Sequence, residues 1–192
     1  MPTNQSLDVG LVFDDSLDKH DGVAQYVKTL GAWLSDQGHN VSYFVGETKM
    51  TDWQGGNVYS LARNQTVYFN GNKLSMPLRS NKRQIKEVLA KQKLDVLHVM
   101  VPYSPFMAQK IINLASPQTA IVGTFHIYPS GNLSIYGSKL LRLMLRGSLE
   151  KFQEIMSVSQ ASADFASQTY NINPRVVPNP VDIKSFSKNH HP

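Results

Sequence analysis

Residues 7–45, LDVGLVFDDSLDKHDGVAQYVKTLGAWLSDQGHNVSYFV, decide the fold. Leu7 to Phe13 is a short apolar run bounded by turn-forming residues, the pattern of a strand buried on both faces of a parallel sheet. From Val23 the apolar positions Val23, Tyr26, Val27, Leu30, Trp33 and Leu34 recur at intervals of three and four, which predicts an amphipathic helix. Gly38 suits the position just past the helix end, and Asn40 to Val45 reads as a second strand. Strand, helix and strand make a βαβ unit.

The alternation continues downstream. The segment from Trp53 to Leu78 alternates and carries a Gly-Asn turn at Gly71 and Asn72, so a hairpin or strand pair is expected, inserted into the alternating pattern. Asn81 is placed to cap a helix running to Gln92. LDVLHVMV gives a strand ending near His98, PFMAQKIINLA a helix from Pro105, and TAIVGTF a further strand closing at His126. A helix is expected from Ile135 to Phe152, followed by a strand at EIMSVS, a helix at QASADFASQTY and the stretch RVVPNPVD. The fold class is therefore α/β, a doubly wound, mostly parallel sheet with helices on both faces. Ligands of such sheets sit beyond the carboxyl ends of the strands, so the loops to watch are those after each strand.

Composition narrows the chemistry. The 192 residues include no cysteine, which removes disulfides, thiol nucleophiles and zinc-thiolate sites and suits a reducing compartment, with the cytoplasm the expected location. A net charge of +5 is scattered rather than massed among aromatics, so no nucleic acid partner is expected. No apolar stretch is long enough to span a membrane. The six histidines are dispersed, and no metal is expected.

Three loops and one helix carry candidate chemistry. Gly22 at a helix start is either a tight turn or a place where backbone amides and the helix dipole meet an anion. Asp14 and Asp15 lack the spacing of a phosphotransfer site and read as solvated loop acids or as charges complementing a helix. His126 stands at a strand end before Ser130 and Gly131, where an imidazole can bond a substrate hydroxyl and the loop can offer amides; a structural histidine is the equal alternative. His98, at the preceding strand end, is either tucked beneath the following loop or, with Tyr103, a further substrate-loop candidate. Lys139, Arg142 and Arg146 share one stripe of a helix, which fits a solvated face, a peripheral contact with anionic membrane, or a crevice-facing anion contact.

Four stretches in order resemble the amino-terminal half of the retaining GT-B glycosyltransferases of family four. DGVAQYVKTLGAWLSDQGHNVSYFV is similar to that family's glycine loop, first helix and Gly-His-x-Val turn. LDVLHVMVPYSP resembles its histidine-bearing strand and proline loop, IVGTFHIYPSG its Thr-Phe-His strand end, and IMSVSQASADFASQTYNINPRVVPNPVDIKSF its serine-started helix and Pro-Asn-x-Val-Asp hinge. The resemblance implies that Gly22, flanked by Asp21 and Val23, faces the diphosphate of a nucleotide sugar and that His126, as the catalytic contact, meets the transferred sugar. It implies a local capping role for Ser159. No cofactor or metal is implied beyond the donor, a nucleotide diphosphate sugar. The implied acceptor is a lipid or glycan, with possible peripheral contact at the cytoplasmic face of a membrane.

Two departures stand out. Asp21 occupies the place of the family's first glycine, putting a carboxylate near the expected diphosphate. The spaced glutamates and the Arg/Lys pair of the family's second domain do not occur. Residues 1–178 are thus expected to form a Rossmann-like acceptor-side domain and 179–192 the start of an interdomain hinge and tail, with the donor domain in the same or a partner chain and little activity from this half alone. The alternatives are a non-catalytic sugar- or nucleotide-binding module and, on Asp14 or Asp15, a metal-dependent phosphoryl site.

Overall fold

The computed structural model describes residues 5–69, 72–126, 142–143 and 145–180, with the backbone alone for 66–69 and 72–76. Its frame is an eight-stranded sheet in the order β10-β9-β8-β7-β1-β2-β4-β3. The strands are β1 (Asp8–Phe13), β2 (Asn40–Val45), β3 (Asp52–Trp53), β4 (Gly56–Ser60), β7 (Val96–Val99), β8 (Ala120–Phe125), β9 (Glu154–Ser157) and β10 (Arg175–Val176). Every pairing is parallel except the two-residue edge strand β3 against β4. A separate antiparallel pair, β5 (Ala62–Phe69) and β6 (Asn72–Ser80), stands apart from it.

The expected hairpin is therefore present, but Asn72 lies in the strand, opposite Phe69, and the expected turn residue Gly71 lies outside the described residues. Sequence reading missed β4. Its residues Val58 and Tyr59 alternate like a half-exposed strand, yet they pair in parallel with Tyr43 and Phe44 and extend the main sheet.

Helices cover both faces. α1 (Gly22–Asp36) packs on the side formed by Val9, Leu11, Phe13, Val41, Tyr43 and Val45, while α2 (Lys82–Gln92) and α3 (Met107–Leu114) cover Val12, Phe44, Leu97 and Val99. Period-two alternation sends neighbouring residues of β1 to opposite cores, so Leu11 and Val12 are both fully buried. α1 approaches the sheet closely at Gly31, where an added Cβ would lie 2.1 Å from the Tyr43 hydroxyl oxygen. It ends at Gly38, whose φ of +87° lets the chain turn into β2.

A last helix, α4 (Gln160–Tyr170), begins at Ser159, whose hydroxyl accepts from the Ser162 amide as expected of a cap. Of the helix expected from Ile135 to Phe152, the described residues 142–143 and 145–149 are helical, and the chain has left the helix before Phe152. Leu145 and Leu149 bury themselves beside Phe125 and Phe165.

Chain order fixes the crevice. From β1 the chain proceeds to β2 and β4 on one side, then returns through α2 to β7 on the other side of β1. The direction of winding reverses between β1 and β7, and the loops leaving those strands diverge at their carboxyl ends.

Candidate functional site

The two loops at the switch point are tied together by Asp14. Its carboxylate accepts from the Ala108 amide at 2.8 Å and from the Ser104 hydroxyl. α3 starts two residues later than expected from Pro105, and its own N-cap, Phe106, has no side chain to serve the open amides. Asp14, from the loop just past β1, supplies that cap. The sequence reading of a helix-complementing charge was right in kind but assigned no helix, and the reading of a solvated acid is corrected. Burial raises the Asp14 carboxyl to about 7, against the smaller opposing effect of its two hydrogen bonds. The β7–α3 loop also carries Val101 at φ +104°, a strained conformation for a β-branched residue.

Asp15 points elsewhere. It pairs with Lys19 at 2.5 Å and accepts from the Asn64 side chain at 2.9 Å, fastening the β1–α1 loop to the root of β5.

At the start of α1, Asp21 is the N-cap: its Oδ1 accepts from Val23 N at 3.0 Å and Ala24 N at 2.9 Å. Asp21 is therefore engaged as a cap, and the Val23 amide, expected to face a diphosphate, is occupied by this carboxylate. The Gly22 amide has no partner among the described residues. Nothing lies within 4 Å of where a Gly22 Cβ would stand, and its φ is not in the left-handed region. Neither packing nor backbone conformation demands glycine here, which leaves an open approach to the amino-terminal end of a 15-residue helix.

His126 follows β8 directly. Its Nε2 is buried and has no hydrogen-bond partner among the described residues, and its ring meets the edge of Tyr26 with centroids 4.7 Å apart. Tyr26 is the residue that sequence reading took only as part of the apolar face of α1. Behind it, His98 is buried and shares a 2.8 Å hydrogen bond between Nε2 and Thr124 Oγ1. Burial raises the Tyr26 phenol above its ordinary range, and a hydrogen bond with Thr124 offsets part of that. Desolvation lowers both imidazoles to about 4, with the neighbouring His126 adding to the effect on His98. Both rings are thus neutral at pH 7.

His98 takes the first of the two places that the sequence leaves open to it, beneath the loop as a buried partner of Thr124 rather than a substrate-loop residue. Tyr103 also turns inward rather than into the loop: it packs on Phe125 and Tyr170, and its buried hydroxyl has no partner among the described residues. Ser130, Gly131 and Lys139 lie outside the described residues. Arg142 and Arg146 are exposed, and Arg146 pairs with Glu150 at 3.2 Å along the helix. Among the described residues no helix is long and apolar enough to cross a membrane.

A mostly parallel, doubly wound sheet with a switch-point crevice and an open helix start defines a Rossmann-like domain of the GT-B class. The chain belongs to Glycosyltransferase Family 4, whose model matches residues 20–185. It is 25% identical over 188 residues to a phosphatidyl-myo-inositol mannosyltransferase of Propionibacterium freudenreichii subsp. shermanii, covering 93% of this chain and 47% of that protein. Among solved structures it is similar to Anabaena HepE in complex with UDP and glucose, with a TM-score of 0.61 at 12% identity over 93% of this chain and 46% of that one. It is also similar to Acinetobacter baumannii MurG, with a TM-score of 0.51 at 11% identity over 95% of this chain and 48% of the other. The chain spans about half the length of the relatives it matches.

Proposed function

We propose that this chain is the acceptor-side half of a retaining transferase that moves a hexose from a nucleotide diphosphate sugar to a lipid or glycan acceptor. The observation that carries this reading is the pairing, on one rim of a family-four domain, of the Gly22 amide at a helix start with a neutral His126, the amide and the His126 Nε2 both without a partner among the described residues.

The roles follow from the chemistry. Gly22 N–H and the dipole of α1 stabilise negative charge on the departing diphosphate. Neutral His126 bonds a hydroxyl of the sugar in transit, and Tyr26 holds its ring from one side. No enzyme nucleophile is required in this reading, and the basic groups that complete the diphosphate site belong to the second domain. This half alone is expected to turn over little or no substrate. The Arg142 and Arg146 side of its helix faces outward and would meet anionic membrane in a peripheral, cytoplasmic-face arrangement.

A second reading, a binding module without transfer, is favoured by one observation: the Asp21 carboxylate sits on the Val23 and Ala24 amides. The deciding experiment incubates the protein at its full natural length with a panel of nucleotide diphosphate hexoses and acceptors and assigns the anomeric configuration of any product. Transfer with retention is expected. Nucleotide-sugar binding without product supports the module instead.

A further inference from the structure

We propose that the groove between the β5–β6 pair and the amino-terminal end of α2 is a binding site for a phosphate-class anion, gripped by Arg63 and Arg79 with Lys110 at its rim. The groove has a volume of about 770 Å³, enough for a phosphoester and its substituent.

The first observation is a register. Arg63 and Arg79 stand directly opposite each other on antiparallel strands, so both side chains leave the same face. Like charges in that arrangement repel. Neither arginine has an ion pair among the described residues, although Arg83, Arg146 and Arg175 each have a glutamate. The single acid among the described lining residues, Glu47, is engaged with the Asn64 backbone amide at 3.3 Å. Two guanidinium forks on one face match the oxygens of a phosphate better than they match water or each other.

The second observation is the setting of Lys110. Its ammonium reaches across from α3 to donate to Ser80 O at 2.9 Å and Ser80 Oγ at 2.8 Å, which fixes a third positive charge at the rim. α2 also begins here, at Asn81, and its dipole adds positive potential.

Position gives the site a purpose. Glu47 and Thr48 follow β2, and Leu61 follows β4, so the groove opens on the same carboxyl rim as the crevice. β2 and β4 lie three and four strands from β8, roughly 14–19 Å from His126 at about 4.8 Å per strand. An anion held here is too distant to react and suits the anchoring end of a larger acceptor. That last assignment rests on the transferase reading; the anion site does not.

The test uses this chain and no donor sugar. Amide chemical shifts are followed during titration with inorganic phosphate and with glycerol 3-phosphate, against chloride at matched ionic strength. Shifts centred on residues 61–63 and 78–81 are expected, with affinity falling at least tenfold in the double variant Arg63→Gln, Arg79→Gln. Because the empty pair is repulsive, the variant's melting temperature is expected to hold or rise. Shifts equal to those with chloride, unaltered affinity in the variant, or a melting temperature several degrees lower would each overturn the proposal. Phosphatidylcholine vesicles with and without phosphatidylglycerol separate the sources. Variant-sensitive retention on the anionic vesicles assigns the site to a lipid headgroup, and soluble phosphoester binding without retention assigns it to a free ligand. Failure here leaves the crevice reading untouched.

Discussion

The crevice at β1, β7 and β8 and the groove at β5, β6 and α2 share one rim of the sheet but treat charge in opposite ways. In the crevice, ionisable groups are buried and driven toward neutrality: Asp14 rises to about 7 while His98 and His126 fall to about 4. In the groove, arginines that cannot lose their charge are left facing each other. One rim thus carries two electrostatic environments, and each suits a different part of the proposed function. Neutral, desolvated groups suit hydrogen bonding to hydroxyls, and exposed fixed cations suit phosphate.

The largest expected effect concerns Asp14. Its folded pKa lies above its unfolded value of 3.8, so the stability it confers is complete below about pH 4 and is lost as pH rises through about 7. The full span amounts to on the order of 4 kcal/mol. Asp14→Asn can keep both hydrogen bonds by reversing the one with Ser104. Urea denaturation should find the variant close to the parent at pH 4 and clearly more stable at pH 8. An equal difference at both pH values would remove the claim that this rim neutralises its charges.

Next in size is Thr124→Val, which strips His98 Nε2 of its partner inside the protein and should cost about 1–3 kcal/mol. Both histidines have lowered folded pKa values, so their contribution is present above about pH 6.5 and is lost as pH falls toward 4. Histidine ring NMR should show neither His98 nor His126 charging above pH 5; titration near 6.5 would place them in water. In the groove, Arg79→Gln relieves like-charge opposition and should stabilise by roughly 0.2–1 kcal/mol in low salt. Smallest is Arg146→Gln. Its pair with Glu150 is exposed, and thermal denaturation should register no more than about 0.5 kcal/mol.

The sheet was legible because its central strands are continuous apolar runs and its helices keep their period. β4 was hidden by its half-exposed alternation, which resembles a hairpin arm until β2 is beside it. Of the candidate site, placement was legible where it depends on sequence position: Gly22 opens a helix and His126 follows a strand, as expected. What escaped depends on contacts across many residues. Asp14 caps a helix 94 positions away, and Tyr26 turns from core stripe to neighbour of His126 only when α1 lies on the sheet. The inward turn of His98 and Tyr103 was not legible, because a strand end shows where the backbone stops but not which way a side chain turns. Asp21 was read as a charge near a ligand, whereas its nearest partners are its own helix amides.

Under the proposed function, sugar transfer depends on His126. The direct measurement is hexose transfer by the protein at its full natural length and by its His126→Ala variant, at matched melting temperature. A fall in kcat of about a hundredfold or more with an unchanged fold is expected, in the range seen when a positioned hydrogen-bonding group at the reacting centre is lost. Equal turnover by the two proteins would contradict it.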